Sequence, residues 1–324
     1  MTKAVVIHET GGPDVLKYEE VEVGDPGPGE IKLKQTACGL NFIDVYLRTG
    51  LYPLTDFPEV IGMEGAGTVT AVGKDVKSVK VGDRVAYPMV KGGYTEERII
   101  PDWKAAKLPD GISDETAAGM MLKGMTAHYL LHRTYPVKPG DPVLVYAAAG
   151  GVGQILCQWG TALGAVVIAC VGSDEKAEIA KAAGAAHTIN YSKEDIAKRA
   201  RELTGGEGVA AAYDSVGKAT FMASLDSLRP FGVVATYGNA SGPVDPFNPA
   251  ILGPKGSVYV TRPTLATHTR NPQILAEGAN ALFEAVTSGK IMININQTYA
   301  LKDVAQAHRD LEGRKTTGSS VLIP

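Results

Sequence analysis

The sequence predicts an α/β protein in which a doubly wound parallel sheet is combined with a second, strand-rich domain. Three observations carry this. From residue 142 onward, short buried-strand runs alternate with helix-length segments, the pattern of a parallel sheet covered on both faces. The first of those strands runs directly into a glycine-rich turn, Tyr146-Ala147-Ala148-Ala149-Gly150-Gly151-Val152-Gly153, and then into an amphipathic helix. The first ~125 residues are instead turn-rich and strand-like. At 324 residues, 44% hydrophobic and 21% charged, the chain has the size of about two globular domains, which excludes disorder and collagen-like or coiled-coil fibres.

In chain order, β-prone runs occupy residues 3–8, 30–38, 65–72, 83–88 and 94–101, separated by breakers such as Gly11-Gly12-Pro13 and Pro26-Gly27-Pro28-Gly29. Short strands so divided suggest a small β-barrel-type domain. Residues 143–146 then form a buried strand. The helix after the turn places Val152, Ile155, Leu156, Trp159 and Leu163 on one face, and Gly164 stops it. Strands are expected at 166–171, 187–190, 209–214 and 232–236, with helices at 174–183, 193–203 and 218–228 between them. Residues 257–260 supply the sixth strand that a six-stranded dinucleotide-binding sheet requires. Beyond residue 263 the alternation stops: helices fit 272–288 and 301–312, and a last strand fits 318–323. One economical arrangement returns this tail to the N-terminal domain and leaves the α/β unit as an insertion.

Charge and cysteine usage narrow the partners. A formal net charge of -3 gives no basic face for nucleic acid or an acidic membrane, and the densest positive stretch, Arg309 to Lys315, is interrupted by Asp310 and Glu312. No run approaches the ~20 apolar residues of a membrane span. The apolar run near the N-terminus is too short for a secretory signal. Cys38, Cys157 and Cys170 are an odd set without a C-x-x-C pair, which points to a reducing, cytoplasmic compartment.

The glycine turn, aligned to G-x-G-x-x-G, reads Ala148-x-Gly150-x-x-Gly153. The first position makes the tight turn, the second lets a pyrophosphate approach the backbone, and the third lets the helix pack closely on the sheet. The helix start directs unpaired N–H groups and the positive dipole end at phosphate. In NAD-binding units an acid about 20 residues on holds the ribose 2′-OH. Here Cys170, Val171, Gly172 and Ser173 fill that region, with Lys176 just beyond. An opening without an acid, followed by a lysine, suits a 2′-phosphate and predicts NADPH over NADH. Ser173 as a plain helix cap with a solvated Lys176 is the competing explanation.

Several segments together resemble one family: Asn41-Phe42-Ile43-Asp44 with Tyr46, Gly50-Leu51-Tyr52-Pro53, Leu122-Lys123-Gly124-Met125-Thr126-Ala127, the turn itself, Ile189-Asn190-Tyr191, Tyr213-Asp214-Ser215-Val216-Gly217, Tyr237-Gly238-Asn239, Val260-Thr261-Arg262-Pro263 and Gly318-Ser319-Ser320. Over essentially its whole length the chain is similar to the zinc-independent, NADPH-dependent quinone oxidoreductases of the zeta-crystallin type, in the medium-chain dehydrogenase/reductase superfamily. The resemblance implies a Rossmann domain, residues 124–263, inserted into a GroES-like, β-barrel-type catalytic domain of residues 1–123 and 264–324. It implies that Asn41, Tyr46 and Thr126 surround the nicotinamide half of the cofactor and that Gly150, Gly151 and Val152 meet the pyrophosphate. Ser173, Lys176, Tyr191 and Arg314 would surround the 2′-phosphate, with Ser215, Tyr237 and Asn239 at strand ends that face the ligand.

Zinc alcohol dehydrogenases of the same superfamily carry a cysteine ligand where this chain resembles the motif at Asn41, and a histidine where it has Met63. Amide and thioether are poor zinc donors, so no metal is expected. His128 and His132 have an i, i+4 ligand spacing but no third partner.

Without a Lewis acid, the expected chemistry is hydride transfer from NADPH to an acceptor that is already electrophilic, with the protein supplying orientation. The first candidate acceptor is a quinone. Alternatives are an α,β-unsaturated carbonyl (an enone or alkenal) and non-catalytic NADPH binding. Tyr52 or Tyr46 could donate a hydrogen bond to the acceptor oxygen, or both could pack against the cofactor. Asn41 could act on the cofactor or serve as a turn residue. Asp44 is read as structural. The edge strand near Ser257 and Val260 is expected to pair two copies into a homodimer, as in the family it resembles.

Overall fold

The computed structural model describes residues 1–324, and the chain divides into two units. Unit 1 is Met1–Met125, His268–Gly289 and Ile293–Pro324; unit 2 is Thr126–Thr267 with Lys290–Met292. The N-terminal part of unit 1 carries β1 (Thr2–Ile7), β2 (Lys17–Val21), β3 (Glu30–Leu40), α1 (Phe42–Arg48), β4 (Glu59–Val60), β5 (Glu64–Val72), β6 (Arg84–Pro88), β7 (Glu97–Pro101), β8 (Ala106–Lys107) and most of α2 (Asp114–Tyr129), whose residues from Thr126 on belong to unit 2. β1 lies between β2 and β4 in a three-stranded antiparallel sheet. Two elements here are helical where strand-like texture was expected. Asn41 starts α1, with its backbone N–H donating to the Asp44 carboxylate at 2.8 Å, one half of a capping box. Ser113 caps α2 by accepting from the Thr116 N–H, and Asp114 and Glu115 in its first turn suit the helix dipole. The expected strand at 94–101 is shorter, because Tyr94 turns inward to pair with Val5 and Ile61 before β7 begins.

Unit 2 alternates β9 (Pro142–Tyr146), α3 (Gly151–Ala162), β10 (Val166–Val171), α4 (Asp174–Ala182), β11 (His187–Asn190), α5 (Ile196–Leu203), β12 (Val209–Asp214), α6 (Phe221–Asp226), β13 (Leu228–Thr236) and β14 (Tyr259–Thr261). All neighbouring strands are parallel, in the order β11-β10-β9-β12-β13-β14. Counting from β9, this is strand order 3-2-1-4-5-6, with the topological switch between β9 and β12. Leu144, Tyr146, Ile168, Cys170, Ala212 and Val234 are buried in its core.

Three expected bounds are corrected. The helix predicted over 193–203 starts only at Ile196, because Asp195 caps it by accepting from the Lys198 N–H, while Glu194 is drawn back to the Asn190 N–H. The helix predicted over 218–228 shortens to α6, since the chain after β12 is held in a turn and Leu228 already belongs to β13. The sixth strand begins at Tyr259; Ser257 sits at φ +54°, which no strand residue adopts.

The tail adds α7 (Pro272–Thr287), β15 (Ile295–Ala300), α8 (Val304–Glu312) and β16 (Ser319–Ile323). β16 pairs antiparallel with β3 and parallel with β15, so the last residues complete the unit 1 sheet β15-β16-β3-β5-β6-β8, with β7 also on β3. The α8 face Val304, Ala307 and His308 is buried, and Val304 and Ala307 cluster with β1 and β3 residues such as Val5, Ile7 and Leu40.

Candidate active site

In unit 2 the expected cofactor residues converge on one edge, the carboxyl ends of the parallel strands. After β9 the chain turns through Ala147, which takes φ +47°, and enters α3. Gly150 is the N-cap of α3, and no side chain caps the helix, so its first-turn N–H groups can take an anion. The two glycines differ in what surrounds them. A Cβ on Gly153 would come within 2.3 Å of the Ala147 carbonyl oxygen and 2.6 Å of the Ala148 Cα, whereas one on Gly150 would meet only the Ala147 oxygen, at 3.2 Å. Gly153 is therefore needed for helix-to-turn packing, while the space beside Gly150 is open for a ligand. That is a fit for a pyrophosphate.

At the end of β10, Ser173 caps α4 by accepting from the Lys176 N–H at 3.3 Å, so the capping explanation holds for its hydroxyl. Asp174 accepts from Asn190 Nδ2 at 2.7 Å and pairs with Lys193, whose ammonium holds the carboxyl below the usual range. Asp174 is thus held by these two partners, while the Glu175 carboxylate hydrogen-bonds Ser173, which lowers its pKa. Tyr191 closes this corner: a Cβ on Gly172 would strike its hydroxyl at 2.6 Å. Gly172, Ser173, Lys176 and Tyr191 consequently form one group. Arg314 lies in unit 1, exposed, just after α8.

The loop after β12 has an anchor that sequence reasoning missed. Asp214, fully buried, accepts from the N–H groups of Val216 and Gly217 and from the hydroxyls of Thr220 and Ser224, at 2.8–3.0 Å. It fixes the turn that carries Ser215. Tyr237, at the end of β13, donates its N–H to the Asp214 carbonyl. Burial pushes its phenol up, and a hydrogen bond from Ser215 partly offsets this. The Asn239 amide, oriented to satisfy both its ends, accepts from Arg262 at 3.1 Å, and Arg262 also donates to the Thr236 carbonyl. The Asp-Ser-Val-Gly string was the available signal for the Asp214 turn.

In unit 1, Asn41, Tyr46 and Tyr52 lie together. The rings of Tyr46 and Tyr52 meet edge to face at 5.2 Å, and the Tyr52 N–H donates to the Tyr46 carbonyl at 3.0 Å. Asn41 is more than a turn residue: its Nδ2 donates to Glu64 Oε2 at 2.8 Å. Glu64, fully buried, also accepts from the Leu122 N–H at 2.7 Å and faces Lys123 Nζ at 3.5 Å. Asp44 is structural but has a carboxylate neighbour in Glu64, a pairing hidden in the sequence. Burial pushes its carboxyl up to about 7, against hydrogen bonds from Tyr94 and the Asn41 N–H and the charge of Lys123. A chain of donors continues from it: Arg48 Nη1 to His308 Nδ1 at 3.1 Å, His308 Nε2 to the Tyr94 hydroxyl at 3.3 Å, and that hydroxyl to Asp44 at 2.7 Å. Arg48 also forks onto Glu312 with two 2.9 Å bonds. α8 therefore grips both ends of α1, the element that presents Asn41 and Tyr46. Thr126, on α2 in unit 2, is buried.

No group of three or more His, Cys, Asp or Glu side chains is placed to hold a metal ion. His128 and His132 pack on Trp159, with centroids 5.7 and 5.4 Å away. All three cysteines are buried, and burial pushes the Cys38 and Cys157 thiols up to about 12, so none is a nucleophile at neutral pH.

Comparison with known proteins places this geometry. Residues 27–139 match the family described as alcohol dehydrogenase GroES-like domain, and residues 151–279 match the zinc-binding dehydrogenase family. The pair defines the class: a medium-chain dehydrogenase/reductase with a GroES-like and a Rossmann-like part. Within that class the chain belongs to the quinone oxidoreductase family. It is 49% identical to the quinone oxidoreductase of Pseudomonas aeruginosa, over the whole of both chains. It is 48% identical to a 2-haloacrylate reductase from a Burkholderia species, covering all of this chain and 99% of that protein. Among solved structures, the Escherichia coli quinone oxidoreductase complexed with NADPH superposes with a TM-score of 0.97 at 47% identity, covering 99% of this chain and all of that one.

Proposed function

We propose that this chain is an NADPH:quinone oxidoreductase. The observation that carries the reading is the uncapped, glycine-lined start of α3 beside the switch point of a 3-2-1-4-5-6 sheet, in a chain whose full-length relatives include quinone oxidoreductases. When bound, NADPH supplies a hydride. Gly150, Gly151 and Val152 hold its pyrophosphate. Ser173, Lys176 and Tyr191, joined by Arg314, receive the 2′-phosphate, with Asp174 held by Asn190 and Lys193 and Glu175 hydrogen-bonded to Ser173. Ser215, Tyr237 and Asn239 line the strand ends, and Asn41, Tyr46 and Thr126 border the nicotinamide half. A quinone is already electrophilic, so the protein's task is orientation and exclusion of water. Amide and thioether at Asn41 and Met63 support chemistry without zinc.

Steady-state turnover tests this: the KM for NADPH should lie well below that for NADH, with quinones among the best acceptors. An equal or lower KM for NADH contradicts the cofactor assignment. The 2-haloacrylate reductase relative favours a second reading, reduction of an alkene conjugated to a carbonyl or carboxyl group, and a panel of benzoquinone, naphthoquinone and an enone separates the two.

Tyr52 is assigned as hydrogen-bond donor to the acceptor oxygen, with Tyr46 supporting its ring. Tyr52→Phe should lower kcat on the order of tenfold, about 1.4 kcal/mol; an unchanged kcat removes it from that role. β14 is an edge strand with Tyr259 59% exposed, and an open edge of this kind suits pairing with a second copy across a twofold axis. Light scattering at micromolar protein should then give the mass of a homodimer, and a monomer refutes it. No helix is long and apolar enough to cross a membrane, and Arg309 and Lys315 are paired with Asp14 and Asp310. These features fit a cytoplasmic enzyme with small-molecule partners and no nucleic acid.

A further inference from the structure

Reducing a quinone by hydride leaves a hydroquinone monoanion, which needs a positive charge beside the developing oxyanion and then a proton. Unit 1 contains one buried cation next to Asn41. Lys123 is 6% exposed, and its one hydrogen-bond contact is the 3.5 Å approach to Glu64 Oε2. Glu64 is already served by shorter bonds from Asn41 Nδ2 and the Leu122 N–H. The carboxylate is therefore nearly saturated, while two N–H donors of the ammonium remain for another acceptor. A buried ion left this incompletely bonded is costly, and a ligand oxygen would complete it. Tyr52 is a neutral donor and supplies no positive charge, and the buried groups around Asp44 cannot take the place of Lys123. Asp44 carries the wrong charge, the Tyr94 phenol is committed to Asp44, and His308 stays neutral, its imidazole lowered to about 3 by burial and by Arg48.

We propose, resting on the quinone-reductase reading, that Lys123 is a catalytic residue: its ammonium stabilises the acceptor oxyanion and then protonates it, while Glu64 and Asn41 position it. The acceptor gains two electrons and a hydrogen as hydride. Its anionic oxygen then takes a proton from Lys123 Nζ, forming an O–H bond, and the neutral amine recovers a proton from water. The sum consumes one quinone, one NADPH and one proton, and yields hydroquinone and NADP+.

The test uses 4-nitrophenol, whose ionisation is read from its absorption, bound to the protein saturated with NADP+. Wild-type protein should lower the pH at which the bound probe ionises by about one to three units. Lys123→Met should abolish that shift and reduce kcat with benzoquinone by about 100-fold, with the fluorescence-measured affinity for NADPH unchanged. Lys123→Arg should keep the probe shift. If Lys123→Met fails to fold, the neutral pair Lys123→Met with Glu64→Gln provides the same readout. A retained probe shift, or a kcat within twofold of wild type, overturns the assignment. Wild-type protein that shifts the probe but reduces no quinone overturns the quinone reading instead, and leaves Lys123 as an oxyanion-binding residue.

Discussion

Gly150→Ala is expected to lower stability only modestly, by up to about 1 kcal/mol for an alanine at an N-cap, but to weaken NADPH binding by at least tenfold, about 1.4 kcal/mol, whereas Gly153→Ala should damage both more severely. The difference follows from what each new methyl meets. At Gly153 it lands 2.3 Å from a backbone oxygen and 2.6 Å from a backbone Cα, and neither can rotate away. α3 must then lift off the β9 turn, at a cost of about 1–3 kcal/mol for an overpacked site, which displaces the N–H groups it presents. At Gly150 the methyl meets a single oxygen at 3.2 Å and projects into the space assigned to pyrophosphate. Thermal melts of the two variants without cofactor, paired with fluorescence titration of NADPH, separate the effects. A Gly153→Ala protein with wild-type stability, or a Gly150→Ala protein with wild-type affinity, contradicts the roles given to these positions.

The second large effect concerns the chain from Arg48 to Asp44, where two buried groups have opposite proton linkage. Asp44 ionises at about 7 when folded against a reference of 3.8, so between those values the folded state holds a proton that the unfolded state has lost. Its contribution to stability is complete below the reference value and is lost as pH rises toward 7. His308 is lowered to about 3 from 6.5, so in that window the unfolded state holds the extra proton. Its contribution is complete above 6.5 and is lost as pH falls. Each slope is about 1.4 kcal/mol per pH unit, and from about pH 4 to 6.5 the two nearly cancel. Single substitutions should expose them. Relative to wild type, Asp44→Asn should gain stability as pH rises from 5 to 7, by roughly 2–3 kcal/mol, and His308→Gln should gain it as pH falls over the same range. Urea unfolding midpoints at several pH values provide the comparison. Differences of the same sign for both variants, or none, would show that this chain is not proton-linked as described.

Most of the unit 2 fold was legible because most of its strands are short apolar runs and α3 and α4 stop at Gly164 and Gly184, both at positive φ. In unit 1 the tail helices α7 and α8 were legible, but α1 and α2 were not. α2 buries Ala117, Ala118, Met120, Met121, Met125 and Ala127, leaving little polar face from which a 3.6-residue period could be read. α1 is only seven residues long and rich in β-prone side chains. β15 alternates partly buried with exposed residues in a polar run, Ile295–Ala300, so hydrophobicity does not mark it. The site divides in the same way. The glycine turn and Lys176 belong to local motifs and could be read from sequence. Glu64 beside Lys123, and His308 behind Tyr94, are brought together across 59 and 214 residues, and only the tail's return to β3 creates the second pairing.

The measurement that tests the central claim most directly is NADPH oxidation with benzoquinone by protein dialysed exhaustively against EDTA. The account predicts undiminished, saturable turnover with NADPH and much weaker turnover with NADH. Loss of activity on chelation that zinc restores, or no quinone-dependent NADPH oxidation at any pH from 5 to 8, would contradict it.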